Sequence, residues 1–211
     1  FSQNGQEGFG IFSQSGIYPV LEKFKKEFTN LKAVIDSQKI EDFEAFCESN
    51  PIPLSEVSLL PPIPNPGKII CAGMNYRKPY PVDGVAAPDP GNVVIFALHT
   101  ETLDGHVADL ELPSGKASET YDFEGEIVAV IGKSGRFVSK DDALKHVIGY
   151  SIMNEDSVRG WMKHSVHAGK NFHASGSWGP WITTVDEIDN FSSLRLETHI
   201  NGKLMQSALA G

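Results

Sequence analysis

The chain has 211 residues, 40% of them hydrophobic, and a formal net charge of −9 at pH 7. This composition supports one sizeable core plus a smaller unit, and 12 Phe with 3 Trp argue against wholesale disorder. An acidic balance without a basic stripe argues against a nucleic-acid binder. No apolar run approaches the roughly 20 residues that span a bilayer, so no membrane association is expected.

Residues 1–60 are predicted to form a small α/β domain, with a short strand in residues 8–12. Two amphipathic helices are predicted there from apolar residues at helical spacing: Leu21, Phe24 and Phe28 in the first, and Ile40, Phe43 and Phe46 in the second. The following residues, 61–68, contain four prolines and are predicted to be a stiff, extended linker.

Residues 69–211 are predicted to form a second, mostly β domain, which makes the whole chain α+β and mostly β. Strands are expected in residues 68–73, 92–98 and 121–132, a strand followed by a loop in residues 178–188, a helix in residues 139–150, and a hairpin in residues 195–207. Ser139 with Asp142 resembles a capping box, and a helical stripe follows at Ala143, Leu144, Val147 and Ile148. Asn201-Gly202 suits a type I′ turn in the hairpin.

Two cysteines, Cys47 and Cys71, lie far apart in the sequence. Two buried free thiols fit this pattern better than a disulfide, and the expected location is the cytoplasm. The first residues lack the basic and apolar regions of a signal peptide. Because the chain starts with Phe and stops just after a predicted strand, we expect sequence to be missing at both ends.

Acidic residues occupy alternate positions at the start of the predicted strand 121–132. Asp122, Glu124 and Glu126 therefore share one face, and residues two apart lie roughly 7 Å from each other. Two such carboxylates can bind one cation, and all-oxygen ligands suit Mg²⁺, Mn²⁺ or Ca²⁺. Spacing alone favours the alternative of a solvated acidic face. The apolar continuation, residues 127–132, is typical of a strand covered on both faces and favours a bound ion.

Four motifs in order resemble the fumarylacetoacetate hydrolase superfamily: KIICAGMNY, YDFEGEIVAVIG, GYSIMNEDSVRGWM and GKNFHASGSWGPWITTVDEI. The resemblance covers residues 66–211. It implies a mixed β-roll, a homodimer, bound Mg²⁺ or Mn²⁺, and a small-molecule 2-oxo or 1,3-diketo acid substrate. C–C bond hydrolysis is the family default, with tautomerisation (isomerisation) or decarboxylation as alternatives.

The resemblance also implies roles for single residues. The metal ligands would be Glu124, Glu126 and Glu155, with Asp156 as the alternative to Glu155 because the family motif has Asp at this point. Arg159 and Lys170 would be the catalytic residues, binding the substrate's carboxylate and oxygen atoms. Taken alone, Arg159 is more often a surface residue and Lys170 a loop residue, and Glu155 with Asp156 is commonly an acidic pair at a helix N-terminus.

The sequence departs from the family pattern at several positions. Pro79 stands where hydrolytic relatives have a histidine base, and Met162 stands where a glutamine often contacts substrate. Residues 80–92 are expected to form a lid, and a Thr-Gly-Thr-Pro segment found in relatives is absent. Other histidines lie nearby without a clear role: His99, His106, His164, His167 and His173. These departures leave open a catalytically degenerate metal-binding protein, or a structural domain that binds no metal.

Overall fold

The computed structural model describes residues 1–76 and 91–211. Pro79 and nearly all of the predicted lid lie outside the described residues. The described chain is mostly β, as predicted. Its strands are β1 (Ser2–Gln3), β2 (Gln6–Glu7), β3 (Gly10–Ser13), β4 (Gly16–Pro19), β5 (Ile69–Gly73), β6 (Val94–Leu98), β7 (Leu103–Asp104), β8 (Tyr121–Asp122), β9 (Gly125–Ile131), β10 (Val147–Asn154), β11 (Ser157–Val158), β12 (Gly176–Thr184), β13 (Arg195–Ile200) and β14 (Lys203–Leu209).

In the described part of the chain, two short α-helices accompany the strands, α1 (Leu31–Asp36) and α2 (Val166–Lys170). Each begins at a capping side chain, Asn30 or Ser165, that accepts a hydrogen bond from the backbone N–H three residues later. Short 3₁₀-helices supply the remaining helical structure: Glu22–Phe24, Phe43–Phe46, Leu54–Glu56, Thr100–Thr102, Gly115–Thr120, Ala143–His146, Arg159–Trp161, Val185–Glu187 and Phe191–Ser193. Within the described residues, no helix is long and apolar enough to cross a membrane.

The prediction of two amphipathic α-helices in the first 60 residues is wrong. Single 3₁₀ turns form there instead, at Glu22–Phe24 and Phe43–Phe46, and the α-helix of this region lies between them. Because a 3₁₀-helix repeats every three residues, the spacing of Ile40, Phe43 and Phe46 fits it as well as it fits an α-helix. The predicted burial is found at Phe28 and Phe43, which lie in one apolar cluster.

The central sheet has the order β7-β12-β10-β9. Strand β10 pairs antiparallel with both of its neighbours, and β12 pairs with β7 in parallel, so the sheet is mixed. The predicted strands in residues 68–73 and 92–98 form the antiparallel pair β5-β6. The hairpin β13-β14 is also confirmed, and Asn201 and Gly202 have the positive φ angles of a type I′ turn, 51° and 78°.

The acidic strand predicted in residues 121–132 is interrupted. Residues 123–124 separate β8 from β9, so the three acidic residues do not belong to one continuous strand. The expected burial on both faces is also wrong, because Ile131 is 61% exposed while its neighbour Val130 is buried. Strand β9 is the edge of the central sheet, and in the described part of the chain only one of its faces is covered at this end.

The helix predicted in residues 139–150 is wrong beyond its first turn. Ser139 and Asp142 do form the reciprocal contact, with the Ser139 hydroxyl donating to Asp142 Oδ2 at 2.7 Å. The chain then makes only the 3₁₀ turn Ala143–His146 and enters β10 at Val147. β-Branched residues at 147 and 148 favour a strand when partners are present on both sides, as β9 and β12 are here.

The main apolar core joins segments from distant parts of the sequence. It contains Ile35 from α1, Ile63 from the proline-rich segment, and four residues of the β-rich part: Leu98, Val130, Met153 and Trp178. Residues on both sides of the predicted linker therefore pack into one cluster. Both cysteines are free, as predicted, but half-buried and not fully buried.

Candidate metal centre

Three glutamates converge at the edge of the central sheet. One carboxylate oxygen from each of Glu124, Glu126 and Glu155 lies within 4.8 Å of the other two. Glu155 is 5% exposed, and the side chain of Glu124 is 16% exposed. These are the three residues that the family resemblance implies as metal ligands, and the fold brings them together.

The local backbone explains how these side chains meet. Glu124 lies in the break between β8 and β9, Glu126 is the second residue of β9, and Glu155 follows the end of β10. The N–H of Glu155 donates to the carbonyl oxygen of Glu124 at 2.7 Å. The antiparallel pairing of β9 with β10 therefore continues past the strand ends and places Glu124 opposite Glu155.

Lys170 enters the same cluster from α2. Its side chain is 2% exposed, and Nζ donates to Glu124 Oε2 and, at 3.3 Å, to the carbonyl oxygen of Glu155. Nζ also lies 5.5 Å from the centre of the Phe96 ring. A buried ammonium group requires such partners, because an unpaired buried charge is strongly unfavourable.

Arg159 reaches the cluster from the solvent side. Its Nη1 contacts Glu124 Oε1, and its Nε donates to Asp122 Oδ2 at 2.9 Å. The side chain of Arg159 is 43% exposed, in contrast to the enclosed Lys170. Asp122 thus orients the arginine and does not join the group of three carboxylates. Met162 lies next to the guanidinium group, with Sδ 3.8 Å from Nη1.

The carboxylates are crowded and partly desolvated, which opposes their ionisation. Burial, together with the negative charges of Glu155 and Glu124, raises the pKa of Glu126 to about 7. Burial also raises the pKa of Glu155, although Lys170 opposes this shift. Oε1 of Glu155 lies 3.3 Å from Lys170 Nζ but has no hydrogen-bond partner among the described residues. A buried carboxylate oxygen that accepts no hydrogen bond and lies beside two other carboxylates fits a bound cation.

Asp156, the alternative third ligand, points to a different set of partners. The Tyr121 hydroxyl contacts both the Asp156 carboxylate and the carbonyl oxygen of Ser175. Asp156 is 4% exposed, and burial raises its pKa to about 6. Adjacent residues in extended backbone face apart, so Glu155 and Asp156 serve separate contacts.

Sequence reasoning missed several residues around the carboxylates. The Tyr76 hydroxyl accepts a hydrogen bond from the N–H of Ile127 at 3.2 Å, and its pKa is raised by burial and by nearby Glu126. The Ser157 hydroxyl donates to Glu124 Oε1 at 2.9 Å. Burial and the charge of Glu155 raise the pKa of Cys71. All three lie inside the family-like motifs, which was the available signal.

The histidines considered as bases do not join this group of carboxylates. The rings of His99 and His167 lie edge to face with centres 5.2 Å apart, and Asn171 bonds to both residues. The ring of His164 lies against Trp161. Pro79, at the position of the family base, is outside the described residues.

The family follows from a direct match. The model of the fumarylacetoacetate (FAA) hydrolase C-terminal domain matches residues 68–210. The chain belongs to the fumarylacetoacetate hydrolase family. Among its relatives are oxaloacetate tautomerase YisK of Bacillus subtilis (strain 168), 38% identical over 160 residues, and the mitochondrial oxaloacetate tautomerase fahd2 of Xenopus laevis, 31% identical over 209 residues. The matches cover 74% and 96% of this chain, but only 53% and 63% of those two relatives.

Solved structures of this family share the fold. Fumarylacetoacetate hydrolase from psychrophilic Exiguobacterium antarcticum superposes with a TM-score of 0.79 at 28% identity, covering 99% of this chain and 73% of that one. Maleylpyruvate hydrolase from Sphingobium sp. SYK-6, in complex with manganese(II) and pyruvate, gives 0.73 at 25% identity, covering 95% and 73%. The predicted mixed β-roll fold class is therefore confirmed.

Proposed function

We propose that this chain carries the active site of a divalent-metal-dependent tautomerase for a short 2-oxo acid of the oxaloacetate type. The observation that carries the proposal is the convergence of three carboxylates with a buried lysine and a solvent-accessible arginine. The names of the relatives from B. subtilis and X. laevis support the tautomerase reaction. A homodimer remains a prediction from the family resemblance.

The proposed metal ligands are Glu124, Glu126 and Glu155. All three donors are carboxylate oxygens, which suits Mg²⁺ or Mn²⁺ better than Zn²⁺. Oε1 of Glu155 accepts no hydrogen bond from the described residues, and burial together with the charges of Glu155 and Glu124 raises the pKa of Glu126. Both observations fit a bound cation. When bound, the ion would supply Lewis-acid stabilisation of negative charge that develops on the substrate oxygens.

The protein residues would orient the substrate and balance its charge. Arg159 is exposed enough to be reached by a substrate carboxylate, and within residues 1–76 and 91–211 its ion pairs with Asp122 and Glu124 use Nε and Nη1. The remaining N–H donors of its planar fork suit a carboxylate. Lys170 would hold its side-chain nitrogen next to Glu124, where it can stabilise negative charge that develops on the substrate. Tautomerisation moves one proton between the 2-oxo oxygen and the carbon next to the 2-oxo group, in either direction, and consumes neither water nor an oxidant.

C–C bond hydrolysis, the family default, is the second candidate. The similarity to maleylpyruvate hydrolase with bound manganese(II) and pyruvate favours it. This reaction requires an activated water molecule in addition to the groups that tautomerisation uses. Decarboxylation of the same substrate class needs no such water. The three reactions give different products and can be separated directly.

The deciding experiment follows oxaloacetate with Mg²⁺ or Mn²⁺ present and after chelation. Loss of the ultraviolet absorbance of the enol, without release of CO₂, would indicate tautomerisation, and an acylpyruvate panel would reveal hydrolysis. We expect chelation to abolish the tautomerase activity.

Substituting a residue that only orients a metal ligand typically costs roughly 10–100-fold in activity. Glu126→Ala removes a proposed ligand and should therefore reduce the activity by more than this. Glu187→Ala, at an exposed position, is the matched control. Metal binding without turnover on any of these acids would instead support a degenerate binding protein. Unchanged activity in Glu126→Ala would contradict the proposed site.

A further inference from the structure

The hairpin β13-β14 contacts the backbone between two of the proposed metal ligands. Gly125 lies between Glu124 and Glu126, and its N–H donates to Gln206 Oε1 at 2.9 Å. Thr198 donates its hydroxyl hydrogen to the same oxygen, also at 2.9 Å. Thr198 and Gln206 face each other across the β13-β14 ladder, so the hairpin presents the amide oxygen already held in place.

Close approach of the hairpin depends on the missing side chain at Gly125. A Cβ atom placed there would lie 2.2 Å from Thr198 Oγ1, far inside the closest distance that real Cβ contacts show. Gly125 thus lets the hairpin reach the backbone of the ligand-bearing segment. Glycine at such a position commonly marks a close backbone approach.

Three separate side chains hold the backbone of this short segment. The N–H of Glu124 donates to Asn154 Oδ1 at 3.1 Å, that of Gly125 to Gln206, and that of Ile127 to the Tyr76 hydroxyl. Of these three side chains, Gln206 is the most distant in sequence, 81 residues from Gly125. The Glu124 and Glu126 carboxylates therefore project from a backbone segment that is held by one side chain of the central sheet, Asn154, and by two from outside it, Tyr76 and Gln206.

We propose that Gln206 is a positioning residue for cation binding: it holds the Gly125 N–H and thereby sets the separation of the Glu124 and Glu126 carboxylates. This inference rests on the proposed function. Small errors in ligand placement are costly, because productive sites tolerate only about 0.5 Å of displacement. Residues that orient metal ligands typically contribute about 10–100-fold in metal affinity.

The test measures Mn²⁺ binding to metal-free protein by calorimetric titration and by electron paramagnetic resonance. Gln206→Met keeps the approximate shape but removes the acceptor, and should weaken Mn²⁺ binding about 10-fold. Gln206→Glu restores an oxygen acceptor at this position and should bind Mn²⁺ within about threefold of the unmodified chain, a smaller change than removal of an orienting residue causes.

Ser207→Ala is the matched control, because Ser207 accepts a hydrogen bond from Arg195 on the same hairpin and makes no contact with Gly125. Unchanged Mn²⁺ affinity in Gln206→Met, or an equal loss in Ser207→Ala, would overturn the proposal.

A second pair of variants tests the same contact if Gln206→Met does not fold. Gly125→Ala should weaken Mn²⁺ binding, because the new methyl group collides with the Thr198 hydroxyl. Adding Thr198→Ala removes that hydroxyl and should restore most of the affinity. Normal Mn²⁺ binding by Gly125→Ala would contradict a positioning role for this contact.

Glu126→Ala separates the failure of this inference from the failure of the proposed function. Unaltered Mn²⁺ binding in Glu126→Ala would refute the proposed metal site itself. Abolished binding in Glu126→Ala, combined with normal binding in Gln206→Met, would leave the metal site intact and refute only the role of Gln206.

Discussion

The charged side chains of the carboxylate cluster lie close enough to stabilise one another. Lys170 is almost fully enclosed and pairs with Glu124, while Glu155 lies 3.3 Å from the same ammonium group. Removing one partner from such a buried set leaves an uncompensated charge, which costs far more than losing an exposed ion pair. The enclosed lysine therefore contributes to folding as well as to the proposed chemistry.

Replacing Lys170 with Met tests this dependence. The free energy of unfolding of metal-free protein should fall by about 3–5 kcal/mol, because the buried carboxylates lose their cationic partner. Added Mg²⁺ should recover part of the loss. Lys145→Met, which breaks the exposed pair with Asp142, should change the stability by less than about 1 kcal/mol. Urea denaturation of both variants gives the comparison, and equal effects would contradict the argument.

Glu126 predicts a pH dependence of the metal-free protein. Its pKa is raised from an ordinary 4.5 to about 7 in the fold, so the folded state binds the proton more tightly than the unfolded state. The free energy of unfolding should therefore fall as the pH rises from 4.5 to 7, by about 3 kcal/mol for this group. Glu126→Gln should show a shallower decline in denaturant melts over this range. If the free energy of unfolding fell equally steeply with pH in both proteins, the raised pKa of Glu126 would be refuted as its cause.

At the scale of secondary structure, close strand pairing around β10 holds the sheet edge where the carboxylates meet. Gly149 lies in β10 opposite Thr184 of β12 and Val130 of β9. A Cβ atom at Gly149 would lie 2.5 Å from the carbonyl oxygen of Thr183, a backbone atom that cannot turn aside. The absence of a side chain at this point permits the close pairing of β10 with β12.

Gly149→Ala should therefore destabilise the protein by about 2 kcal/mol, within the range expected for overpacking. The matched control is Gly67→Ala, because a Cβ atom at Gly67 would meet nothing within 4 Å. That control should stay within about 0.5 kcal/mol of the unmodified chain, as most surface substitutions do. Thermal melts followed by circular dichroism provide the measurement, and a neutral Gly149→Ala would show that the strands can separate at no cost.

At the scale of the whole molecule, one apolar cluster connects the first 60 residues to the sheet. Ile35 of α1 is 5% exposed and belongs to the same core as Val130 and Trp178. Ile63, within the proline-rich segment, also packs into this core. The division into a domain at 1–60 and a domain at 69–211 remains a prediction, but the shared core argues that the two parts unfold together.

Calorimetry of the full chain with Ile35→Ala tests that expectation. The substitution should cost about 2–5 kcal/mol and shift a single unfolding transition to lower temperature. Leu54→Ala, at a position that is 41% exposed, should move that transition much less. Two separate transitions, with only one of them affected by Ile35→Ala, would show that the parts unfold independently.

Features that depend on residues close together in the chain could be predicted from the sequence. Asn201-Gly202 predicts its turn because both residues readily adopt positive φ, and the apolar runs of β5 and β6 predict strands by composition. Motif order predicted the family, and the motif positions named the three glutamates, Arg159 and Lys170.

Backbone conformations and contacts that depend on partners from distant parts of the chain were seen in the tertiary structure and not in the sequence. Whether residues 147–150 form helix or strand depends on β9 and β12, and whether Glu155 or Asp156 faces the other glutamates depends on strand pairing past the end of β10. The contact of Gln206 with Gly125 joins residues 81 positions apart. Local preferences are weaker than such long-range packing and hydrogen bonding. Patterns of neighbouring residues in the sequence therefore could not predict these three features.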